Sequence, residues 1–200
     1  FPSPSYHGYD VTDYYAVNPQ YGTMEDFKRL LREAKKRGIR VVIDLVLNHT
    51  SSLHPWFVQA DADPQSPYRD WYLWSDQDPG ADMPGWRPGQ TGYYYAYFDP
   101  GMPDLNYNNP AVTEEITRIV TFWLKEVGVD GFRIDAAKHL FENGAKRENV
   151  PETYAWFADF HRVLKAANPQ ACTVGEVYGA GARLVSTYTG DKLDMVFNFE

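Results

Sequence analysis

The chain alternates between stretches with a helical period of apolar residues and short runs that are almost entirely apolar. A helix is predicted between Thr23, which is suited to cap it, and Gly38, which is suited to end it, because apolar residues recur every three or four positions between them. The run RVVIDLVL at Arg40–Leu47 follows at once. Such a β-branched run is typical of a parallel strand that is covered on both faces.

The same order of elements returns after residue 109. Helices are predicted at Pro110–Val127, Glu152–Ala167 and Ala182–Tyr188, and strands at Asp130–Ile134, Ala171–Val177 and Leu193–Phe199. Alternating helices and strands with short links predict parallel strands joined by right-handed crossovers. An open doubly wound sheet and an eight-stranded barrel both fit this α/β pattern.

Residues 48–109 break the pattern. They are rich in Pro, Asp, Gly and aromatic residues and show few helical periods. A structureless loop of this length is improbable in a compact domain. We therefore expect an inserted subdomain that is irregular and partly β.

Composition narrows the possible partners. The net charge of −8 argues against a nucleic-acid or anionic-membrane partner, and no apolar run is long enough to span a membrane. The single cysteine, Cys172, excludes an internal disulfide. Aromatic residues make up 16% of the chain, and their flat rings suit the apolar faces of sugars. The chain begins at Phe1 and ends in an apolar run, so we expect both ends to be cuts through a larger protein.

Polar side chains stand at the carboxyl ends of three predicted strands. Asn48 and His49 follow the first, Asp135 ends the second and Glu176 ends the third. In barrels the active site is built at that rim from several strands, so this placement favours the barrel.

Two of these residues are carboxylates in different surroundings. Arg133 and Asp135 are two positions apart and should share one face of their strand, which predicts a lowered pKa for Asp135. Glu176 lies between apolar residues with no basic neighbour in sequence, which predicts a raised pKa by desolvation. One anion and one acid on neighbouring strands is the arrangement that glycoside hydrolysis requires.

Five short motifs occur in order along the chain. They are HGYDVTDYY (His7–Tyr15), DLVLNH (Asp44–His49), MPDLN (Met102–Asn106), GFRIDAAKH (Gly131–His139) and GEVYG (Gly175–Gly179). Together they resemble the α-amylase family, family 13 of the glycoside hydrolases. The resemblance implies part of a (β/α)8 TIM barrel with an irregular subdomain inserted after the third strand.

The same resemblance implies the domain boundaries. Residues 1–47 and 105–200 would belong to the barrel and residues 48–104 to the inserted domain. The barrel would be truncated before its seventh strand, so the third catalytic Asp of the family would lie beyond residue 200. We therefore do not expect these 200 residues to form a complete site.

The resemblance also assigns roles to residues. Asp135 would be the nucleophile, Glu176 the general acid and then base, and Arg133 the group that orients Asp135. Further sugar contacts are implied for His7, Tyr9 and His49 at the cleaved sugar, and for Lys138 and His139 on the leaving-group side. A calcium site is implied at Asn48, Asp104 and the backbone carbonyl of His139, and oxygen ligands suit that ion.

The motif details favour one reaction within the family. The pair Lys138-His139 and the residue Met102 resemble bacterial α-amylases of a group intermediate between oligo-1,6-glucosidases and neopullulanases. This implies retaining hydrolysis of internal α-1,4 bonds in starch-like glucans by a secreted or extracellular enzyme. Oligo-1,6-glucosidase, neopullulanase and trehalose synthase activities remain open. A non-catalytic carbohydrate-binding or transporter-partner relative is the alternative of another class.

Overall fold

The computed structural model describes residues 1–143, 146–179 and 181–199. Its α-helices are α1 (Met24–Lys36), α2 (Pro55–Ala62), α3 (Pro110–Thr121), α4 (Pro151–Ala167) and α5 (Ala182–Val185). Its strands are β1 (Val42–Val46), β2 (Trp74–Ser75), β3 (Trp86–Pro88), β4 (Tyr93–Tyr95), β5 (Gly131–Asp135), β6 (Cys172–Gly175) and β7 (Met195–Val196). Within this described part, no helix is both long and apolar enough to cross a bilayer.

The contacts divide the chain into two compact units. The insert unit comprises residues 1–16 and 48–114, and the sheet unit comprises residues 17–47 and 115–200. The predicted domain division at 1–47, 48–104 and 105–200 shares with these units the boundary before residue 48. As a division of the parent barrel it stays a prediction.

Four parallel strands form the sheet of the sheet unit, in the order β1-β5-β6-β7. Helices α4 and α5 lie between successive strands along the chain, as the alternating pattern predicts. Leu45, Phe132 and Ile134 are fully buried, which explains the apolar runs from which these strands were predicted. The last strand covers only two residues, where the pattern predicts seven.

Helix α1 begins and ends as its sequence predicts. The Thr23 hydroxyl accepts a hydrogen bond from the backbone N–H of Asp26, and the Asp26 carboxylate accepts one from the backbone N–H of Thr23. This reciprocal capping box satisfies two N–H groups that have no partner within the helix. After the helix, Gly38 takes a φ of +70°, which a glycine adopts without strain.

The start of β5 requires a glycine. Gly131 has a φ of +156°, and a Cβ atom there would lie 1.9 Å from the carbonyl oxygen of Cys172 on β6. Any side chain at this position would force the two central strands apart. The first residue of the GFRID motif is therefore set by strand packing.

The insert unit is held together by aromatic rings. A small antiparallel sheet, ordered β2-β4-β3, contributes to it. The ring of Phe57 on α2 lies 4.8 Å from that of Tyr94, 5.0 Å from that of Tyr72 and 5.7 Å from that of Trp74, measured between centroids. The prediction of a partly β insert is confirmed, but it contained no helix. Helix α2 has apolar residues on several sides and therefore lacks the stripe that predicts a helix.

Candidate active site

Three carboxylates meet one guanidinium at the carboxyl end of the parallel sheet. Asp44 on β1 is paired in register with Arg133 on β5, and Nη1 of Arg133 lies 2.8 Å from Oδ1 of Asp44. The same Nη1 atom lies 2.6 Å from Oδ1 of Asp135. The prediction that Arg133 and Asp135 share a face of their strand is confirmed.

Glu176 reaches the same guanidinium from the neighbouring strand. It follows β6, and its backbone N–H donates to the carbonyl of Ile134 over 2.9 Å. Nη2 of Arg133 lies 2.9 Å from Oε2 of Glu176. Because both carboxylates touch one guanidinium, their oxygens are separated by no more than its width and two hydrogen bonds. This upper limit is compatible with the roughly 5 to 5.5 Å between the carboxylates of retaining glycosidases, and it also admits part of the wider range of inverting ones.

The backbone after Asp135 also faces Glu176. Ala136 adopts a left-handed conformation with a φ of +46°, which is uncommon for a residue with a Cβ atom. Its N–H donates to Oε2 of Glu176 over 3.3 Å, and the N–H of Ala137 donates to the Glu176 carbonyl over 3.1 Å. The strained turn thus connects the chain segments that carry the two carboxylates.

Burial decides the electrostatics of this cluster. It raises the pKa of Asp135 to about 6, although Arg133 acts to lower that pKa, and the charges of Glu176 and Asp44 raise it further. The prediction of a lowered pKa for Asp135 is therefore wrong, because desolvation outweighs the single guanidinium. Glu176 has no basic neighbour in sequence, but in the fold Arg133 reaches it from the adjacent strand.

The two residues after the nucleophile turn are already engaged within the protein. Nζ of Lys138 lies 2.7 Å from Oε2 of Glu148, and the Lys138 side chain is only 6% exposed. The ring nitrogens of His139 lie 3.0 Å from the Arg147 carbonyl and 3.0 Å from the Tyr178 hydroxyl. Beside the buried Lys138, the Glu148 side chain is 44% exposed and faces solvent.

Three predicted sugar contacts belong to the insert unit. The rings of His7 and Tyr9 stack with centroids 5.9 Å apart. His49 is buried beside the ring of Phe98, and burial lowers its pKa to about 4, so it is neutral at physiological pH. Among the described residues, its Nε2 atom makes no hydrogen bond of ordinary length and angle. The Tyr9 backbone is near enough to the ring to oppose the lowering of its pKa. A neutral, buried imidazole of this kind suits a sugar hydroxyl.

Two predicted calcium ligands are neighbours in the insert unit. His49 forms an antiparallel bridge with Asp104, and the backbone N–H of Leu105 donates to the Asn48 carbonyl over 2.8 Å. The side chains of Asn48 and Asp104 are both buried. A carboxylate and an amide both offer the oxygen donors that calcium prefers. Within residues 1–143, 146–179 and 181–199, no group of three or more His, Cys, Asp or Glu residues is arranged to hold a metal.

The sequence prediction missed three residues of the cluster, namely Asp44, Glu148 and Tyr178. Asp44 had a signal, because it is the single charge within the apolar run of β1. Tyr178 lies within the GEVYG motif but was given no role there, and Glu148 had no signal, because its position depends on a loop without a periodic pattern.

Comparison with known proteins now identifies the family. The model of the α-amylase catalytic domain matches residues 1–200. The chain belongs to the α-amylase family. Its parallel sheet with crossover helices is accordingly part of a (β/α)8 barrel, as the resemblance implies.

Members of the α-amylase family that are similar to this chain differ in the reaction that their names describe. Over 199 residues the chain is 49% identical to alpha-amylase 3 of Dictyoglomus thermophilum, covering all of this chain and 38% of that protein. It is 38% identical to a trehalose synthase/amylase of Mycobacterium tuberculosis, covering 96% of this chain and 35% of that protein. The crystal structure of an alpha-amylase from H. orenii superposes with a TM-score of 0.90 at 45% identity, covering all of this chain and 41% of that one. The chain thus spans about two fifths of the length of these relatives.

Proposed function

We propose that the protein carrying this chain hydrolyses internal α-1,4-glucosidic bonds of starch-like glucans with retention of configuration. The observation that carries this proposal is the pair Asp135 and Glu176, which one guanidinium holds at the ends of adjacent parallel strands. A pair of carboxylates at this spacing is the chemical equipment of a glycosidase.

The two carboxylates divide the reaction between them. Asp135 attacks the anomeric carbon and forms a glycosyl ester, while Glu176 gives its proton to the departing glycosidic oxygen. Glu176 then takes a proton from water, which attacks the same carbon and releases Asp135. With a pKa of about 6, Asp135 is ionised at neutral pH and available as nucleophile. Arg133 holds both groups in place and remains charged throughout.

The remaining assignments follow the same proposal. His7, Tyr9 and His49 bind the sugar at the cleaved bond, with the neutral His49 ring as a hydrogen-bond partner. The side chains of Asn48 and Asp104 would hold a calcium ion together with the carbonyl of His139. Its contribution when bound is to order the polypeptide around these ligands.

The choice of bond is supported by two observations. Lys138-His139 follows the nucleophile turn as in α-amylases, and the relative at 49% identity is named an alpha-amylase. A polymeric substrate also supports a secreted or extracellular location. Trehalose synthesis is the second candidate, because a relative at 38% identity carries that name together with amylase.

Product analysis separates these reactions. The protein is incubated with amylose, pullulan, isomaltose and maltose, and the products are followed by chromatography and by NMR of the new anomeric centre. We expect short maltooligosaccharides from amylose, released first as the α-anomer. Trehalose formed from maltose would support the second candidate, glucose from isomaltose would support an oligo-1,6-glucosidase, and release of the β-anomer would exclude the retaining mechanism.

A further inference from the structure

A buried cation lies beside the segment that carries Glu176. The Lys138 side chain is only 6% exposed, and its ammonium forms a 2.7 Å ion pair with Glu148. The same ammonium lies 4.2 Å from the centroid of the Tyr178 ring. A carboxylate and an aromatic face therefore compensate a charge that would otherwise be costly to bury.

The Tyr178 hydroxyl is held by His139, the residue that follows Lys138. Nδ1 of His139 lies 3.0 Å from the Arg147 carbonyl, and because a carbonyl only accepts, Nδ1 carries the proton. In the neutral ring Nε2 is then an acceptor, and the Tyr178 hydroxyl donates to it over 3.0 Å. Lys138 and His139 together fix a residue that stands two positions after Glu176.

The segment that carries Glu148 is also held by hydrogen bonds that do not involve the Glu148 carboxylate. The backbone N–H of Asn149 donates to the Lys138 carbonyl over 2.9 Å, and the Tyr188 hydroxyl donates to Oδ1 of Asn149 over 2.8 Å. Asn149 has a φ of +55°, a left-handed conformation that asparagine tolerates better than most residues. Removing the charge of Glu148 should therefore leave the segment in place.

We propose that Glu148 is a positioning residue for the general acid. Its carboxylate holds the Lys138 ammonium against Tyr178, and Tyr178 restrains the turn after Glu176. This inference rests on the proposed function, because it concerns proton transfer from Glu176 to the leaving group. Without the Glu148 charge, the ammonium moves toward water, the Tyr178 ring loses its contact with Lys138, and Glu176 is oriented less well.

The test compares Glu148→Gln with the matched control Glu152→Gln, which alters an exposed glutamate four residues later on α4. Both variants are assayed on a linear α-1,4-glucan oligosaccharide and on an α-glucosyl fluoride, whose leaving group needs little protonation. We expect Glu148→Gln to lower kcat on the oligosaccharide by about tenfold, a part of the 10²- to 10⁴-fold that general acid catalysis supplies. Formation of the glycosyl ester from the fluoride, followed in the pre-steady state, should slow by less than about twofold, because this step needs little proton transfer from Glu176. Glu148→Asp should recover part of the loss on the oligosaccharide.

A double-mutant cycle with Lys138→Met tests the route of the effect. If Glu148 acts through Lys138, the double variant should be no slower on the oligosaccharide than the slower single variant. Equal losses on both substrates, an effect no larger than that of Glu152→Gln, or additive losses in the cycle would each overturn the proposal. The assay uses whichever α-glucoside the protein cleaves, so a different bond specificity would revise the proposed function without deciding this question.

Discussion

The sheet unit and the insert unit contain different kinds of side-chain cluster, with charged groups in the first and aromatic rings in the second. In the sheet unit, Arg133 gathers Asp44 from the middle of β1, Asp135 from the end of β5 and Glu176 from just after β6. In the insert unit, aromatic rings cluster around Phe57. The first arrangement holds like charges close together at a cost in stability, whereas the second gains stability from buried apolar area. We therefore expect substitutions in the two clusters to affect activity and stability in opposite proportions.

The largest effect is expected for Asp135→Asn, which should reduce glucan hydrolysis by more than about 10⁴-fold because no covalent intermediate can form. The same change should raise the melting temperature at pH 7. The folded pKa of about 6 lies above the usual 3.8, so ionisation between these values costs folded-state stability. Asparagine removes that cost, which is at most about 3 kcal/mol.

The comparison requires a pH series of thermal melts for Asp135→Asn and wild type. The difference in melting temperature should be full above pH 6 and disappear below pH 4. As a control, Asp159→Asn on the exposed face of α4 should change neither activity nor this pH dependence. Activity within tenfold of wild type would reject Asp135 as nucleophile.

The next largest effect is expected for Glu176→Gln. Loss of the general acid should slow hydrolysis of glucans by roughly 10²- to 10⁴-fold. Glycosyl fluorides need little help in leaving, so formation of the glycosyl ester from them should be nearly normal in a pre-steady-state measurement. If ester formation slows equally for both substrates, Glu176 is not the acid.

In the insert unit, Phe57→Ala should mainly affect stability. Phe57 is 3% exposed and contacts three aromatic rings, so its removal should cost about 3–5 kcal/mol of unfolding free energy. Chemical denaturation measures the loss, and hydrogen exchange should show faster exchange in β2, β3 and β4. The neighbouring Val58 is 46% exposed, and Val58→Ala should cost less than about 0.5 kcal/mol. A loss below 1 kcal/mol for Phe57→Ala would show that the rings do not hold this unit together.

The smallest effect is expected at the start of α1, far along the chain from either cluster. Thr23→Ala removes both hydrogen bonds of the Thr23 hydroxyl and should cost about 1 kcal/mol, with no change in kcat. Thr23→Ser keeps the capping hydroxyl and should be nearly neutral. A change in kcat for Thr23→Ala would show that the stability of helix α1 affects the catalytic rate.

The two units also differed in how far their structure could be predicted from sequence. The strands of the sheet unit were predicted from their apolar runs. Its helices were predicted from the helical period of their apolar residues, and helix α1 also from its caps. Helix α2 was missed because ring packing has no fixed period. In the site, Arg133 and Asp135 are two residues apart on one strand, so their contact could be predicted. The contacts of Arg133 with Asp44 and Glu176 depend on strand register, which sequence neighbours do not reveal.

The glycine that opens β5 has a practical consequence for anyone surveying this chain by saturation mutagenesis. Every replacement of Gly131 would meet the Cys172 carbonyl, so a screen scored only by turnover would rank it beside the nucleophile. The two kinds of defect separate when soluble yield is recorded for each clone. Variants of Gly131 should vanish from the soluble fraction, while those of Asp135 should remain abundant and inert.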